Sequence, residues 1–355
     1  MEHIIVLINK INELKTVLYF IALLFILFSF KSFSQNELKA KGISENQGSK
    51  FITSHGYESC VELSNRVCRV VLDPNFGGRV LVYEIDGKNA LYVNPEKNGF
   101  IPKPGEWKGL SGMEPSAGRF DIGPEKVRLD KKIFWLGKWS AEITGKFSAR
   151  MTSQINEKEN LQLVRDFQLD PNTSKFRITQ TIKNLGNTPR KLCYWSRTFA
   201  TGGGICIVPL SKPNRFPKGY LSYSNSNSML FMPEPEENIK MVSDYLLILG
   251  PVKLPKMVFD SDKGWLAYIT KDDMLFIKTY DYNKSYEYGE MAAVPLSIWY
   301  SENTVAELEP IGPWEWIDPK KESSFSEIWH LLPYKYPENK QVDVEDINAK
   351  VKALE

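Results

Sequence analysis

The chain has 355 residues, 42% of them hydrophobic and 25% charged, an ordinary globular composition with ample apolar material for a sizeable core. The formal net charge is +2 and like charges form no block, so neither nucleic acid nor an anionic membrane surface is indicated as a partner. Length admits one large domain or two smaller ones.

In chain order, Lys10 and Lys15 precede an apolar run from Val17 to Phe30, shorter than the roughly 20 residues a membrane-spanning helix needs. Ser32-Phe33-Ser34 then gives a small-x-small exit. Basic start, short apolar middle and small-residue exit describe a secretory signal over residues 1–34. The mature chain is expected to begin near Gln35, to be periplasmic or secreted, and to keep no stable membrane insertion. An uncleaved anchor is the alternative, because Ile4 to Ile8 is also apolar. No cysteine lies near the cleavage point, which argues against a lipoprotein. Residues 35–54 are polar and are expected to form a mobile lead-in.

From there the text becomes short β runs, among them Val67 to Leu72, Arg79 to Ile85, Leu161 to Leu169 and Leu275 to Tyr280. In Lys175 to Ile182 the apolar side chains fall two apart, the strand period. Turn residues separate the runs, as in Asp73-Pro74-Asn75, Asp86-Gly87 and Asp170-Pro171-Asn172. Asn98 to Gly112 and Met232 to Glu237 read as long loops, the first expected to rim a cleft. Helical periodicity is confined to the tail, where Val344 to Leu354 starts acidic and ends basic. The prediction is an all-β sandwich or barrel in one domain over residues 55–335, with residues 336–355 as a tail.

All four cysteines, Cys60, Cys68, Cys193 and Cys206, follow the signal segment. Cys60 and Cys68 flank a turn at Ser64-Asn65, and opposite positions on a hairpin satisfy disulfide geometry. Two readings stand: bridges Cys60–Cys68 and Cys193–Cys206, or four buried free thiols. There is no C-x-x-C, and only His55 and His330 follow the signal segment, so no zinc site and no cofactor is expected.

Three segments carry a resemblance. The first runs from Leu63-Ser64-Asn65 through Asn75-Phe76-Gly77-Gly78-Arg79-Val80 to Leu91-Tyr92-Val93-Asn94-Pro95. The second is Trp195-Ser196-Arg197-Thr198-Phe199 followed by Gly202-Gly203-Gly204. The third is Lys263-Gly264-Trp265, then Phe276 to Tyr280, then Ala306-Glu307-Leu308-Glu309-Pro310-Ile311-Gly312-Pro313. In their order and spacing they resemble the galactose mutarotase-like (aldose 1-epimerase-like) superfamily, and within it the bacterial branch labelled as DUF4380-type domains of unknown function. The resemblance implies a β-supersandwich and a carbohydrate partner.

Several residues then stand out as cleft candidates. Glu307 and Glu309 are two apart on a β run and so share a side of the sheet. Two carboxylates there need water, cations or hydroxyls, which a solvated outer face or a sugar cleft supplies. They are the candidates for a catalytic base. Trp195 and Arg197 also share a side, pairing an aromatic plate with a bidentate donor. Lys278 sits amid apolar neighbours and must reach water, a ligand or a carboxylate. Arg119 falls where the resemblance implies a substrate-contacting arginine.

The resemblance also implies a catalytic histidine in the segment matched by Tyr194 to Phe199, which has none. Arginine cannot fill the gap, because it does not deprotonate near neutral pH. The sequence therefore leaves open an epimerase, hydrolase or lyase of altered mechanism, and a sugar-binding protein without catalysis.

Overall fold

Alternating side chains, broken every few residues by Gly, Pro, Asn or Asp, give a strand-rich chain. A computed structural model describes residues 47–107, 116–124, 129–224, 228–289 and 292–354. The expected signal segment, most of the expected lead-in and the end of the Asn98 to Gly112 loop lie outside the described residues.

The first strands are β1 (Gly48–Ser54), β2 (Tyr57–Ser64), β3 (Arg69–Asp73), β4 (Arg79–Ile85), β5 (Lys88–Asn89) and β6 (Gly118–Gly123). A short helix, α1 (Lys132–Leu136), leads into β7 (Trp139–Gly145), β8 (Ser148–Ser153), β9 (Leu161–Leu169), β10 (Phe176–Asn184) and β11 (Arg190–Thr201). Next come β12 (Ile205–Pro209), β13 (Tyr220–Tyr223), β14 (Met229–Leu230), β15 (Ile239–Val242), β16 (Tyr245–Ile248) and β17 (Lys256–Phe259). The last are β18 (Trp265–Ile269), β19 (Met274–Tyr280), β20 (Leu296–Glu302), β21 (Val305–Pro310), β22 (Glu315–Ile317), β23 (Glu322–Pro333) and helix α2 (Val344–Lys352).

They form two antiparallel sheets. The larger has the order β1-β2-β3-β4-β6-β11-β21-β20-β17-β13-β14, with β5 beside β4 and β22 beside β11. The smaller has the order β15-β16-β12-β18-β19-β23-β10-β9-β8-β7. The inner faces meet in one apolar core, to which the larger sheet gives Leu63, Tyr83, Phe120, Tyr194 and Leu308 and the smaller gives Phe167, Phe176, Phe276 and Trp329. The Trp329 ring sits 5.3 Å from Phe276, 5.6 Å from Tyr83 and 5.9 Å from Phe176, centroid to centroid. The architecture is the all-β sandwich that the turn spacing predicts.

The outer face of the smaller sheet is covered in part by α2. Asp343 caps the helix by accepting from the Asp346 N–H, and Val344, Ile347 and Val351 are buried against Ile205, Ile207, Leu247 and Ile277. No helix among the described residues is long and apolar enough to cross a membrane.

Two sequence expectations differ from the structure. Gly48–Ser54, placed in the lead-in, is the edge strand β1, paired with β2 through a turn at His55-Gly56. An edge strand faces water and needs no apolar alternation, so its polar text gives no strand signal. The cysteines are all free and buried. In the β2–β3 hairpin Ser64 pairs with Arg69 and Val61 with Leu72, so Cys60 and Cys68 are not opposite one another. Cys60 lies with Tyr57, Val71 and Phe76 on the outer side of the sheet, while Cys68 lies in the inner core. Cys193 and Cys206 are divided in the same way, the first packed with Trp195 and the second in the inner core.

Candidate functional site

Strand alternation in the larger sheet sorts its side chains. Phe120 and Ile122 of β6, Tyr194 and Ala200 of β11, Ala306 and Leu308 of β21, Leu296 and Ile298 of β20, and Met257 and Phe259 of β17 all enter the inner core. Their neighbours must therefore face outward. Arg197 lies opposite Arg119 and Trp195 opposite Asp121. Glu309 lies opposite Ser297, and Glu307 is flanked by Phe199 and Trp299. Trp299 in turn pairs with Lys256. Three strands, β6, β11 and β21, thus bring Arg119, Trp195, Arg197, Glu307 and Glu309 onto one outer face, beside β20 and β17.

At the centre is a buried ion network. Arg197 Nε lies 2.5 Å from Glu307 Oε1 and 3.3 Å from Glu309 Oε1, and Arg197 Nη1 lies 3.7 Å from Asp121 Oδ2. Lys256 pairs with the second oxygen of Glu309, and Trp195 Nε1 donates to its first at 3.1 Å. Lys131 Nζ reaches Asp121 Oδ1 at 3.2 Å. Buried charges are tolerated only when paired in this way.

The two carboxyls hold their protons differently. Burial is the largest influence on Glu307 and raises its pKa, helped by the negative charge of Glu309 and opposed by Arg197. Burial also acts to raise Glu309, but Lys256 and Arg197 together outweigh it and hold this carboxyl below its ordinary value. Glu309 is thus the carboxyl held more firmly as an anion, and Glu307 the readier of the two to take a proton.

Three of the sequence candidates have a different setting from the one expected. Trp195 is fully buried, with the Arg197 guanidinium and the Lys256 ammonium each 5.3 Å from its ring centroid. It has no open face to stack on a sugar; it is a floor that holds Glu309. Arg119 donates to the backbone carbonyls of Ser116 (3.2 Å) and Trp135 (3.3 Å). The Gly77-Gly78 turn makes room for it: at Gly77, with φ +69°, a Cβ would lie 2.6 Å from the Trp135 carbonyl and 3.2 Å from Arg119 Nη1.

Lys278 is not on this face at all. It belongs to β19 of the smaller sheet and points inward, pairing with Glu327 at 3.1 Å. It also donates to Ser196 Oγ (2.7 Å), Thr198 Oγ1 (2.8 Å) and the Leu308 carbonyl (3.1 Å). Phe276, two residues earlier, enters the same core, so alternation already turned Lys278 inward.

Sequence reading missed Asp121, Lys131, Lys256 and Trp299. Asp121 is two residues from Arg119 and shares its side. Lys256 and Trp299 join the face only through the pairing of β17 with β20, which no local pattern announces. Trp299 is half-buried, unlike the fully buried Trp195, and lies opposite Glu307 in the register. Among the described residues no histidine joins the face: His55 lies in the β1–β2 turn and His330 on the outer side of the smaller sheet. Among the described residues no group of three or more His, Cys, Asp or Glu is placed to hold a metal ion.

No family model matches the chain, and no curated protein matches it. Solved structures do. A galactose mutarotase-like protein from Clostridium acetobutylicum superposes with a TM-score of 0.52 at 12% identity, covering 82% of this chain and 100% of that one. A galactose mutarotase-like protein from Lactobacillus casei superposes with a TM-score of 0.53 at 9% identity, covering 77% of this chain and 100% of that one. Such low identity speaks to architecture alone. The chain has the galactose mutarotase-like β-sandwich fold.

Proposed function

We propose that this is an exported, periplasmic or secreted carbohydrate-binding protein whose cleft is the outer face of the larger sheet. The observation that carries the reading is the half-buried Trp299, paired in register with Glu307 and Lys256 on the face that holds the Arg197–Glu307–Glu309–Lys256 network. An aromatic plate next to charged donors and acceptors suits a sugar, which offers a C–H face and a rim of hydroxyls. Lys256, Arg197 and Glu307 would meet the hydroxyls, with Trp195, Glu309, Asp121 and Arg119 holding them in place. The narrower kinship with the DUF4380-type branch rests on the sequence motifs alone.

A second reading, turnover of the bound sugar, has one observation behind it: Glu307 is set apart from Glu309 by its raised pKa. Anomer exchange requires one group to take the O1 hydroxyl proton while another protonates the ring oxygen, opening the C1–O5 bond. Glu307 can serve as one of these. The strand implied to supply the partner presents Trp195 and Arg197, neither of which exchanges protons near neutral pH. Binding is therefore the primary reading; epimerase, hydrolase or lyase chemistry is the alternative.

A glycan-array screen with proton NMR of anomer exchange on each hit tests both. Trp299→Ala should weaken saccharide binding by about tenfold. Exchange above background that disappears in Glu307→Gln would favour the epimerase over the binding module. If no saccharide binds, or if binding is indifferent to Trp299→Ala, the cleft is misassigned.

A further inference from the structure

The outer face of the smaller sheet holds a second cavity, unconnected with the acid–base machinery above. It has a volume of about 350 Å³ and opens over β10, β23, β19 and β18, with Leu354, just past α2, in its wall. That size lies within the range of small-molecule sites. Register explains its floor. Arg177 pairs with Ile328, Ile328 with Thr279 and Thr279 with Trp265, a continuous outward row across four strands. His330 is the next outward position along β23, two residues beyond Ile328.

Two features of the lining suit a ligand. The first is polarity open to the cavity. His330 is 3% exposed and Trp265 is 4% exposed, and both line the space. Neither ring is hydrogen-bonded to the described residues, and neither is among the buried polar atoms cut off from solvent, so both can bond whatever fills the cavity. The second is charge. Lys175, Arg177 and Lys263 line the cavity against one carboxylate, Asp281. Lys263 is engaged with Asp262 at 3.0 Å, whereas Lys175 and Arg177 have no ion-pair partner among the described residues. Donors therefore exceed acceptors around a half-open, partly aromatic space, with Arg177 at its exposed edge.

We propose that this cavity binds a small organic oxyanion: a carboxylate or phosphate carried on a body of monosaccharide size. Arg177 and Lys175 would take the anionic group, while His330 and the Trp265 N–H would hydrogen-bond the body. Burial, and then the charge of Lys175, push the His330 pKa down to about 4, so near neutral pH its ring offers one donor and one acceptor. The chemistry differs from that of the cleft, where every carboxylate already has a cation.

The chain has only 3 histidines, which makes a local probe available. The ring resonances of His330, assigned with His330→Gln, are followed by NMR in the full-length protein during titration with galacturonate, inorganic phosphate and neutral galactose. The expected result is a saturable His330 shift with at least one anion and none with galactose. Lys175→Ala combined with Arg177→Ala should weaken that response by about tenfold or more while the urea midpoint stays put. Tighter binding of galacturonate would identify a sugar acid, and tighter binding of phosphate a phosphate ester. No His330 shift with either anion, or a shift unchanged in the double variant, overturns the proposal. Neither failure touches the cleft, which lies on the other sheet.

Discussion

Glu307 and Glu309 occupy alternate positions of one strand and face the same way, yet their surroundings differ. Lys256 and Trp195 both bond Glu309, whereas Glu307 relies on Arg197. A carboxyl held ionised by charged partners contributes stability that its amide isostere cannot replace, because the partner cation stays buried without its counter-charge. A carboxyl whose proton is favoured in the folded state loses less. Glu309→Gln should therefore destabilise the protein by about 2–4 kcal/mol, and Glu307→Gln by less than half as much. Urea denaturation of the two single variants near neutral pH checks the order. Equal losses would mean that the two carboxyls share their cations evenly, and a larger loss at Glu307 would reverse their roles.

Strand β11 works on both sides of its sheet. Its odd positions Trp195 and Arg197 organise the outer carboxylates, and its even positions Ser196 and Thr198 grip the Lys278 ammonium from the inner side. The Leu308 carbonyl, between Glu307 and Glu309 on β21, takes a third Lys278 bond. Lys278 is thus a positioning residue for the ion network, tying β11 to β21 from the inner side. Burial, opposed by Glu327, lowers its pKa to about 8 from 10.5. Between these values the unfolded chain holds a proton that the folded one releases, so the Lys278 contribution to stability rises with pH across that window.

At neutral pH, Lys278→Met strands Glu327 and should cost about 3–5 kcal/mol. Adding Glu327→Gln should restore most of the loss, and both variants, lacking Lys278, should lose the rise in stability between about pH 8 and 10.5. Urea melts of wild type, single and double variants decide it. A double variant as unstable as the single would refute the pairing. Much of this element was legible in the sequence. Spacing of two told that Trp195 goes with Arg197 and Glu307 with Glu309. It did not tell which face was the inner one, and so Lys278 was assigned to the cleft, although the core residue Phe276 has the same parity. Trp299 stayed hidden because its value depends on lying between β21 and β17, a pairing of distant segments.

For the whole molecule, alternation and turn chemistry suffice to predict a sandwich, because each strand's own text carries both. The order of strands is another matter. β6 beside β11, β11 beside β21 and β17 beside β13 are contacts between remote parts of the chain, specified by how the sheets pack and not by any local signal. The finished sandwich has two outer faces with separate duties: the larger sheet carries the ion network, while the smaller is partly sealed by α2. Ile347 is fully buried there, against the aliphatic side chains of β12, β16 and β19. Ile347→Ala should cost about 2–5 kcal/mol, the usual loss for emptying such a site. The inner core separates that helix from the outer face of the larger sheet, so the folded variant should bind any neutral saccharide found for the wild type with unchanged affinity. Urea denaturation and titration calorimetry on the same preparation measure both halves. A stability loss accompanied by weakened saccharide binding would show that the two faces are coupled through the core, and that α2 belongs to the working part of the protein and not only to its shell.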